Sequence, residues 1–229
     1  MPSPSDIHMI VLPGGGYAAH AAHEGEPIVA WLSGLGFRAS VVRYPLLVRH
    51  PAQVNALQAE IRRIRGGGAR RVGLIGFSAG GHLAGLAALS PGADDGAAVD
   101  FAVLGYAITS MQAETYRPAR EILLGADATA ELRRATSLDA LVTPASPPFF
   151  LWHTAEDAYV PPEHTYLLAE SLAAHRVAHC VHVFAHGPHS LGLASGSGDA
   201  AAWTVLAAPW IAEQSRTPID LAGVEIGQT

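Results

Sequence analysis

The chain has 229 residues and is 49% hydrophobic, a length that fits one domain and a composition that excludes a disordered protein. Its formal net charge is −6 and its basic residues form no continuous stripe, so a nucleic-acid partner is not expected. No apolar run reaches the roughly 18 residues that a membrane span needs, and the N-terminal residues lack the features of a secretory signal, so we expect a cytoplasmic protein without membrane association.

The predicted elements alternate between apolar strands and amphipathic helices along the chain. Strands are predicted at 7–12, 39–44, 72–77, 101–108, 149–153 and 180–184. Helices are predicted at 26–34, 54–65, 79–89, 162–174 and 200–214. Apolar strands separated by helices are typical of a parallel sheet that is covered on both faces. We therefore expect an α/β fold, with one domain over residues 1–229 and a mostly parallel sheet of about six strands.

One long polar segment, residues 110–148, interrupts this alternation. It contains several prolines and only two short predicted helices, at 117–124 and 129–135. Long excursions at the edge of an α/β sheet often form substrate pockets. We expect a small cap or pocket insertion here, although an ordinary long crossover between two strands would have the same pattern.

The strongest functional signal is the sequence Gly-Phe-Ser-Ala-Gly at 76–80, which matches G-x-S-x-G. A predicted strand runs directly into it and a helix of small residues follows, which is the context of a nucleophile elbow. Such a turn exposes the Ser78 hydroxyl beside the N–H groups of the helix N-terminus. The pattern predicts Ser78 as a nucleophile, and the alternative is a glycine-rich turn without reactivity.

A second signal is the run of three glycines at 14–16, which ends the first predicted strand. Successive glycines let the backbone approach a ligand closely. Their N–H groups can form an oxyanion hole together with the N–H of Ala79. A flexible turn without this role would have the same composition.

A serine nucleophile needs an imidazole base, which in turn needs a carboxylate to orient it. The loops after the fifth and sixth predicted strands contain Asp157 and His189, and both open at the same sheet edge as Ser78. The order serine, aspartate, histidine along the chain is that of hydrolases with G-x-S-x-G. The competing candidates are Glu156 for the carboxylate and His153 and His186 for the base.

Residue types also exclude several other chemistries. The 14 basic residues are all arginine, and without lysine there is no P-loop, no Schiff base and no Ser-Lys dyad. The single cysteine excludes an internal disulfide and a CxxC site. The spacing of His175, His179 and His182 does not stay within one element, so we expect no metal and no other cofactor.

Together the motifs resemble the serine esterases of the α/β-hydrolase superfamily. The resemblance is strongest to acetyl-esterase-like enzymes with a Pro-Gly-Gly-Gly-Tyr loop, which include carbohydrate and acetylxylan esterases. It implies that Ser78, Asp157 and His189 form a catalytic triad. The chain departs from these enzymes at Ser190, where glycine is common, and in its core of about six strands, where the full fold has eight.

The same resemblance implies which groups surround the reacting atoms. It assigns the oxyanion hole to the backbone N–H groups of Gly15, Gly16 and Ala79. Three further residues near the motifs are predicted to contact the substrate, namely Tyr17, Glu24 and His82. For His82, which follows the serine turn inside the helix, the alternative is a packed histidine behind the site.

The sequence therefore predicts a serine carboxylesterase that hydrolyses short-chain esters, acetyl esters above all, with acetylated carbohydrates as candidate substrates. One alternative is an amide-cleaving enzyme such as a formamidase, because amides and esters use the same triad and oxyanion hole. Another alternative is a binding scaffold of the same fold without catalysis. The expected partner is a small-molecule ester, and a monomer and a homodimer both stay open.

Overall fold

The centre of the computed structural model, which describes residues 6–90 and 95–214, is a parallel sheet. Its six strands within those ranges are β1 (Ile7–Leu12), β2 (Arg38–Val41), β3 (Arg71–Phe77), β4 (Phe101–Gly105), β5 (Phe149–Thr154) and β6 (His179–Phe184). They lie in the order β2-β1-β3-β4-β5-β6, and every neighbouring pair is parallel. Parallel neighbours need crossover connections, which the helices supply.

Helices cover both faces of the sheet. Those on one face are α1 (Glu26–Gly34) and α7 (Trp203–Glu213), and those on the other are α2 (Ala52–Gly66), α3 (Ser78–Leu89) and α6 (Glu163–Ala174). Two short helices, α4 (Arg117–Leu124) and α5 (Ala130–Ala135), lie between β4 and β5. In the part of the chain that the structure describes, no helix is long and apolar enough to cross a membrane. The predicted α/β architecture is confirmed.

The central strands are buried on both faces, as their continuous apolar sequences predict. In β3, Val72 and Leu74 pack in the core beneath α2 and α3, whereas Ile75 and Phe77 pack in the core beneath α1 and α7. The strands β1, β4 and β5 divide their side chains between the two cores in the same way. The centre of the sheet, where β3 leads to Ser78, is therefore packed on both sides.

The structure differs from the predicted boundaries by three residues at three places, and elsewhere by at most two residues. The edge strand β2 ends at Val41 rather than at 44, and α7 begins at Trp203 because residues 198–202 form a 3₁₀ turn. The strand β4 ends at Gly105 rather than at 108, because Tyr106 has a φ of 35° and turns the chain away. Residues 106–108 are as apolar as the strand, so the sequence pattern does not mark this change of direction.

The carboxyl ends of the strands meet at one edge of the sheet, as parallel strands require. The segments after β1, β3, β5 and β6 contain the residues that the sequence motifs single out. Ligands of open α/β sheets bind in the crevice outside this edge. The topology therefore gathers the candidate residues from four distant parts of the chain.

Candidate active site

Ser78 lies at the turn where β3 passes directly into α3. Its φ of 52° is in the left-handed region, which is strained for a residue other than glycine. The turn also brings two backbone segments together, since a Cβ at Gly80 would lie 2.2 Å from the carbonyl oxygen of Leu12. Glycine is thus required at position 80 to hold the serine in this conformation.

A hydrogen bond joins Ser78 to His189, and a second one joins His189 to Asp157. The Ser78 Oγ lies 2.8 Å from Nε2 of His189, in the loop after β6. The Nδ1 of His189 lies 2.6 Å from Oδ2 of Asp157, in the loop after β5. An ionised aspartate only accepts, so Nδ1 carries the proton and Nε2 accepts from the serine hydroxyl. In this tautomer the imidazole is placed to take the hydroxyl proton.

Asp157 is held by further hydrogen bonds that favour its ionised form. Its Oδ1 accepts the backbone N–H groups of Tyr159 and Val160, at 2.9 and 3.0 Å. Burial acts to raise the pKa of this carboxyl, but hydrogen bonds from His153 and His189 outweigh it and hold the pKa well below its usual range. The carboxylate therefore stays charged and orients the imidazole.

The competing candidates for acid and base make other contacts. Glu156 is exposed and pairs with the exposed His186. His153 is fully buried and contacts Asp157 rather than Ser78. Within residues 6–90 and 95–214, no group of three or more His, Cys, Asp or Glu side chains is arranged to hold a metal ion.

The glycine loop after β1 lies against the same turn. Gly15 has a φ of 120°, and a Cβ there would lie 2.3 Å from a backbone carbonyl oxygen. The N–H of Gly14 donates to Glu24, whereas Gly15 and Gly16 line the pocket beside the serine. The N–H of Ala79 is among the first of α3, which have no acceptor within the helix. The glycine loop after β1 and the first turn of α3 thus meet beside the serine.

A pocket of about 360 Å³ opens beside Ser78. Its lining residues are Gly15, Gly16, Ala21, Ser78, Tyr116, Tyr159, His189 and Ser190. The rings of Tyr116 and Tyr159 meet edge to face with their centres 5.7 Å apart, and both are exposed at the mouth. Sequence reasoning missed these two tyrosines, although the position of Tyr159 two residues after Asp157 was an available signal.

The three predicted substrate contacts lie behind the pocket wall instead. Tyr17, Glu24 and His82 are fully buried. The Tyr17 hydroxyl lies 2.6 Å from Nδ1 of His82, whose Nε2 lies 2.7 Å from the carbonyl oxygen of Thr136. Glu24 accepts the N–H of Gly14. Because protein groups bind these polar atoms, the three side chains support the pocket wall instead of facing the substrate. For His82 this is the packed position that the sequence left open as the alternative.

Acidification is expected to destabilise the protein through two buried histidines. Burial lowers the pKa of His82 and of His164 from 6.5 to about 4. Between these values the unfolded chain binds protons that the folded chain does not, so the free energy of unfolding falls as the pH falls from 6.5 to about 4. Each histidine contributes roughly 3 kcal/mol to this loss.

Urea denaturation at two pH values, roughly 7 and 4.5, measures this loss. His82→Gln is the control, since its free energy of unfolding should change less between the two pH values than that of the wild type. An unfolding free energy that is independent of pH across this interval would contradict the expectation.

Comparison with known proteins places this chain in a family. Residues 8–172 match the family model described as BD-FAE. The curated relative Endo-1,4-beta-xylanase B of Butyrivibrio fibrisolvens is 30% identical over 207 residues, which cover 82% of this chain and 33% of that protein. The chain thus spans about a third of the length of that relative.

Solved structures are similar over most of the chain. An acetyl ester-xyloside bifunctional hydrolase from Caldicellulosiruptor lactoaceticus is 33% identical, with a TM-score of 0.85 over 92% of this chain and 83% of that one. The carboxylesterase Cest-2923 from Lactobacillus plantarum WCFS1 is 30% identical, with a TM-score of 0.76 over 91% of this chain and 85% of that one. The chain therefore belongs to the BD-FAE family, an esterase family of the α/β-hydrolase fold, and is a carboxylic ester hydrolase.

Proposed function

We propose that the enzyme hydrolyses short-chain esters, acetyl esters above all, through an acyl-enzyme formed on Ser78. The observation that carries this proposal is the chain of hydrogen bonds from Ser78 through His189 to Asp157, with lengths of 2.8 and 2.6 Å. It supplies a nucleophile, a base and a carboxylate that orients the base. These are the three groups that acyl transfer by serine needs.

In the first half-reaction the Ser78 Oγ attacks the ester carbonyl carbon while Nε2 of His189 takes the hydroxyl proton. The C–O bond to the alcohol then breaks, and the imidazolium gives that proton to the leaving oxygen. The acyl group is left on Ser78. The charge of Asp157 stabilises the imidazolium that forms in this step.

In the second half-reaction a water molecule attacks the acyl carbon while His189 takes one of its protons. The bond between the acyl carbon and the Ser78 oxygen breaks, and the proton returns to that oxygen. The products are the carboxylic acid and the free enzyme, so the sum of both halves is ester plus water to acid plus alcohol.

We propose that the oxyanion of both tetrahedral intermediates binds to the N–H groups of Gly15, Gly16 and Ala79. Support comes from the position of both glycines in the pocket wall beside Ser78 and from the place of Ala79 in the first turn of α3. Donors that are fixed before the reaction stabilise developing charge without reorganisation. The positive end of the α3 dipole adds to this stabilisation.

We propose that the alcohol portion of the substrate is a sugar and that residues 110–148 act as a small cap over it. This segment supplies Tyr116, which stands with Tyr159 at the mouth of the pocket. Aromatic walls with a few polar groups are typical of small-molecule sites. A similar solved structure carries the description acetyl ester-xyloside bifunctional hydrolase, which is consistent with such a substrate.

Short acyl chains are expected to react best, because a pocket of about 360 Å³ is at the small end for ligand sites. We expect kcat/KM to fall at least about 10-fold from p-nitrophenyl acetate to p-nitrophenyl octanoate. An acetylated xyloside in the same panel should release acetate faster than ethyl acetate does. A maximum at octanoate or longer esters would contradict the short-chain proposal, and no release from acetylated xylosides would contradict the sugar proposal.

A further inference from the structure

Glu24 is a charged side chain with no exposure to solvent, in a turn just before α1. Its Oε2 accepts the N–H of Gly14 at 2.7 Å. Its Oε1 accepts the hydroxyl groups of Tyr106 at 2.8 Å and of Ser190 at 2.7 Å. A carboxylate is removed from water at a high cost unless hydrogen bonds compensate it. For Glu24, hydrogen bonds from three donors in three separate segments compensate this cost.

Two of the three donors belong to residues with a strained backbone. The φ angle is 35° at Tyr106 and 66° at Ser190. Residues other than glycine rarely adopt this region, and where they do the strain often serves a function. A glycine at position 190 would relieve the strain but would lose the hydroxyl. Both strained residues nevertheless direct a hydroxyl to the same oxygen of Glu24, which points to a role for this contact.

The segments that meet at Glu24 are those that hold the proposed reacting groups. Gly14 precedes the two glycines of the pocket wall, and Ser190 follows His189. The Tyr106 ring lies 5.0 Å from the His189 ring, and its hydroxyl also accepts a backbone N–H from the histidine loop. Glu24 thus links the glycine loop after β1 to the histidine loop after β6.

We infer that Glu24 is a positioning residue, whose carboxylate sets the separation between the oxyanion donors and the imidazole base. The inference rests on the proposed function of Ser78 and His189. The tetrahedral intermediate needs the oxyanion donors and the base in place together. Loss of the link therefore misplaces groups that act after substrate has bound, and it lowers kcat more than it raises KM.

Glu24→Gln tests this role, because it keeps the size of the side chain but removes its charge and one of its two acceptor oxygens. We expect kcat for p-nitrophenyl acetate to fall about 10- to 100-fold, with KM changed less than about 3-fold. Glu26→Gln, at an exposed position two residues along, is the matched control and should keep wild-type kinetics. An unchanged kcat in Glu24→Gln, with or without a raised KM, would overturn the inference.

Ser190→Gly separates positioning from stability. Glycine suits the φ of 66°, so Tm should be equal to or above that of the wild type, while kcat should fall about 10-fold because the hydroxyl is lost. The double variant with Glu24→Gln should be little worse than Glu24→Gln alone, because both changes act on the same hydrogen bond between Ser190 and Glu24. A folded Ser190→Gly variant with wild-type kcat overturns the inference even if Glu24→Gln does not fold.

Labelling with a fluorophosphonate distinguishes failure of this inference from failure of the proposed function. If the wild-type enzyme is not labelled at Ser78, the proposed nucleophile is wrong. If it is labelled at Ser78 while Glu24→Gln keeps wild-type kcat, only the positioning role is wrong.

Discussion

Replacement of Ser78 by alanine is expected to lower kcat for p-nitrophenyl acetate by about 10⁴-fold or more while the protein stays folded. The Ser78 Oγ is the proposed attacking atom, and it lies 2.8 Å from the imidazole that takes its proton. Alanine keeps the small Cβ in the turn, so the fold should tolerate the change. Steady-state kinetics together with a thermal unfolding curve measures both effects.

Two further variants sharpen this test. Ser78→Gly should unfold at a higher temperature than the wild type, because the φ of 52° suits glycine. It should be as inactive as Ser78→Ala. A double variant with His189→Ala should be little worse than either single variant, because triad residues act as a unit. Substantial activity in a folded Ser78→Ala variant, or fully additive losses in the double variant, would contradict the assignment.

Replacement of Asp157 by asparagine is expected to lower kcat by about 10⁴-fold, the effect of the same change in another serine hydrolase. The amide oxygen can still accept from the N–H groups of Tyr159 and Val160. Its NH₂ group, however, would face Nδ1 of His189, where an acceptor is needed. The ring would then carry its proton on Nε2 and could not accept the proton of Ser78.

Glu156→Gln is the matched control, since it changes the neighbouring carboxylate in the same way. Glu156 is exposed and pairs with His186, so kcat should stay within about 2-fold of the wild type. A large loss of kcat in Glu156→Gln, together with a small loss in Asp157→Asn, would show that Glu156 and not Asp157 is the triad acid. The pair of variants therefore decides between the candidates that the sequence alone leaves open.

The sequence predicted the sheet and the turn at Ser78 because both depend on local patterns. Continuous apolar runs mark strands that are buried on both faces, and the glycine motif marks a strand-to-helix turn. The parallel order then places Asp157 and His189 at the same edge as Ser78. Their hydrogen bonds, which span 32 and 111 residues of sequence separation, follow from that topology rather than from any local signal.

The surroundings of the site could not be predicted in the same way. The hydroxyl of Tyr106 reaches Glu24 only because the chain turns at residue 106, and the apolar sequence from 101 to 108 does not reveal that turn. Ser190 reaches the same carboxylate across 166 residues. Such contacts depend on the packing of loops, which the sequence pattern does not show. Glu24, predicted to contact the substrate, is instead buried and hydrogen-bonded between the glycine loop and the histidine loop.

Mass spectrometry of the enzyme after reaction with a fluorophosphonate tests the central claim most directly. The Ser78 oxygen would attack phosphorus, fluoride would leave, and His189 would take the hydroxyl proton. We expect one adduct per chain, on the peptide that contains Ser78, with no adduct in Ser78→Ala and much slower labelling in His189→Ala. An adduct on another residue, or no adduct in a preparation that hydrolyses p-nitrophenyl acetate, would contradict the claim that Ser78 is the nucleophile.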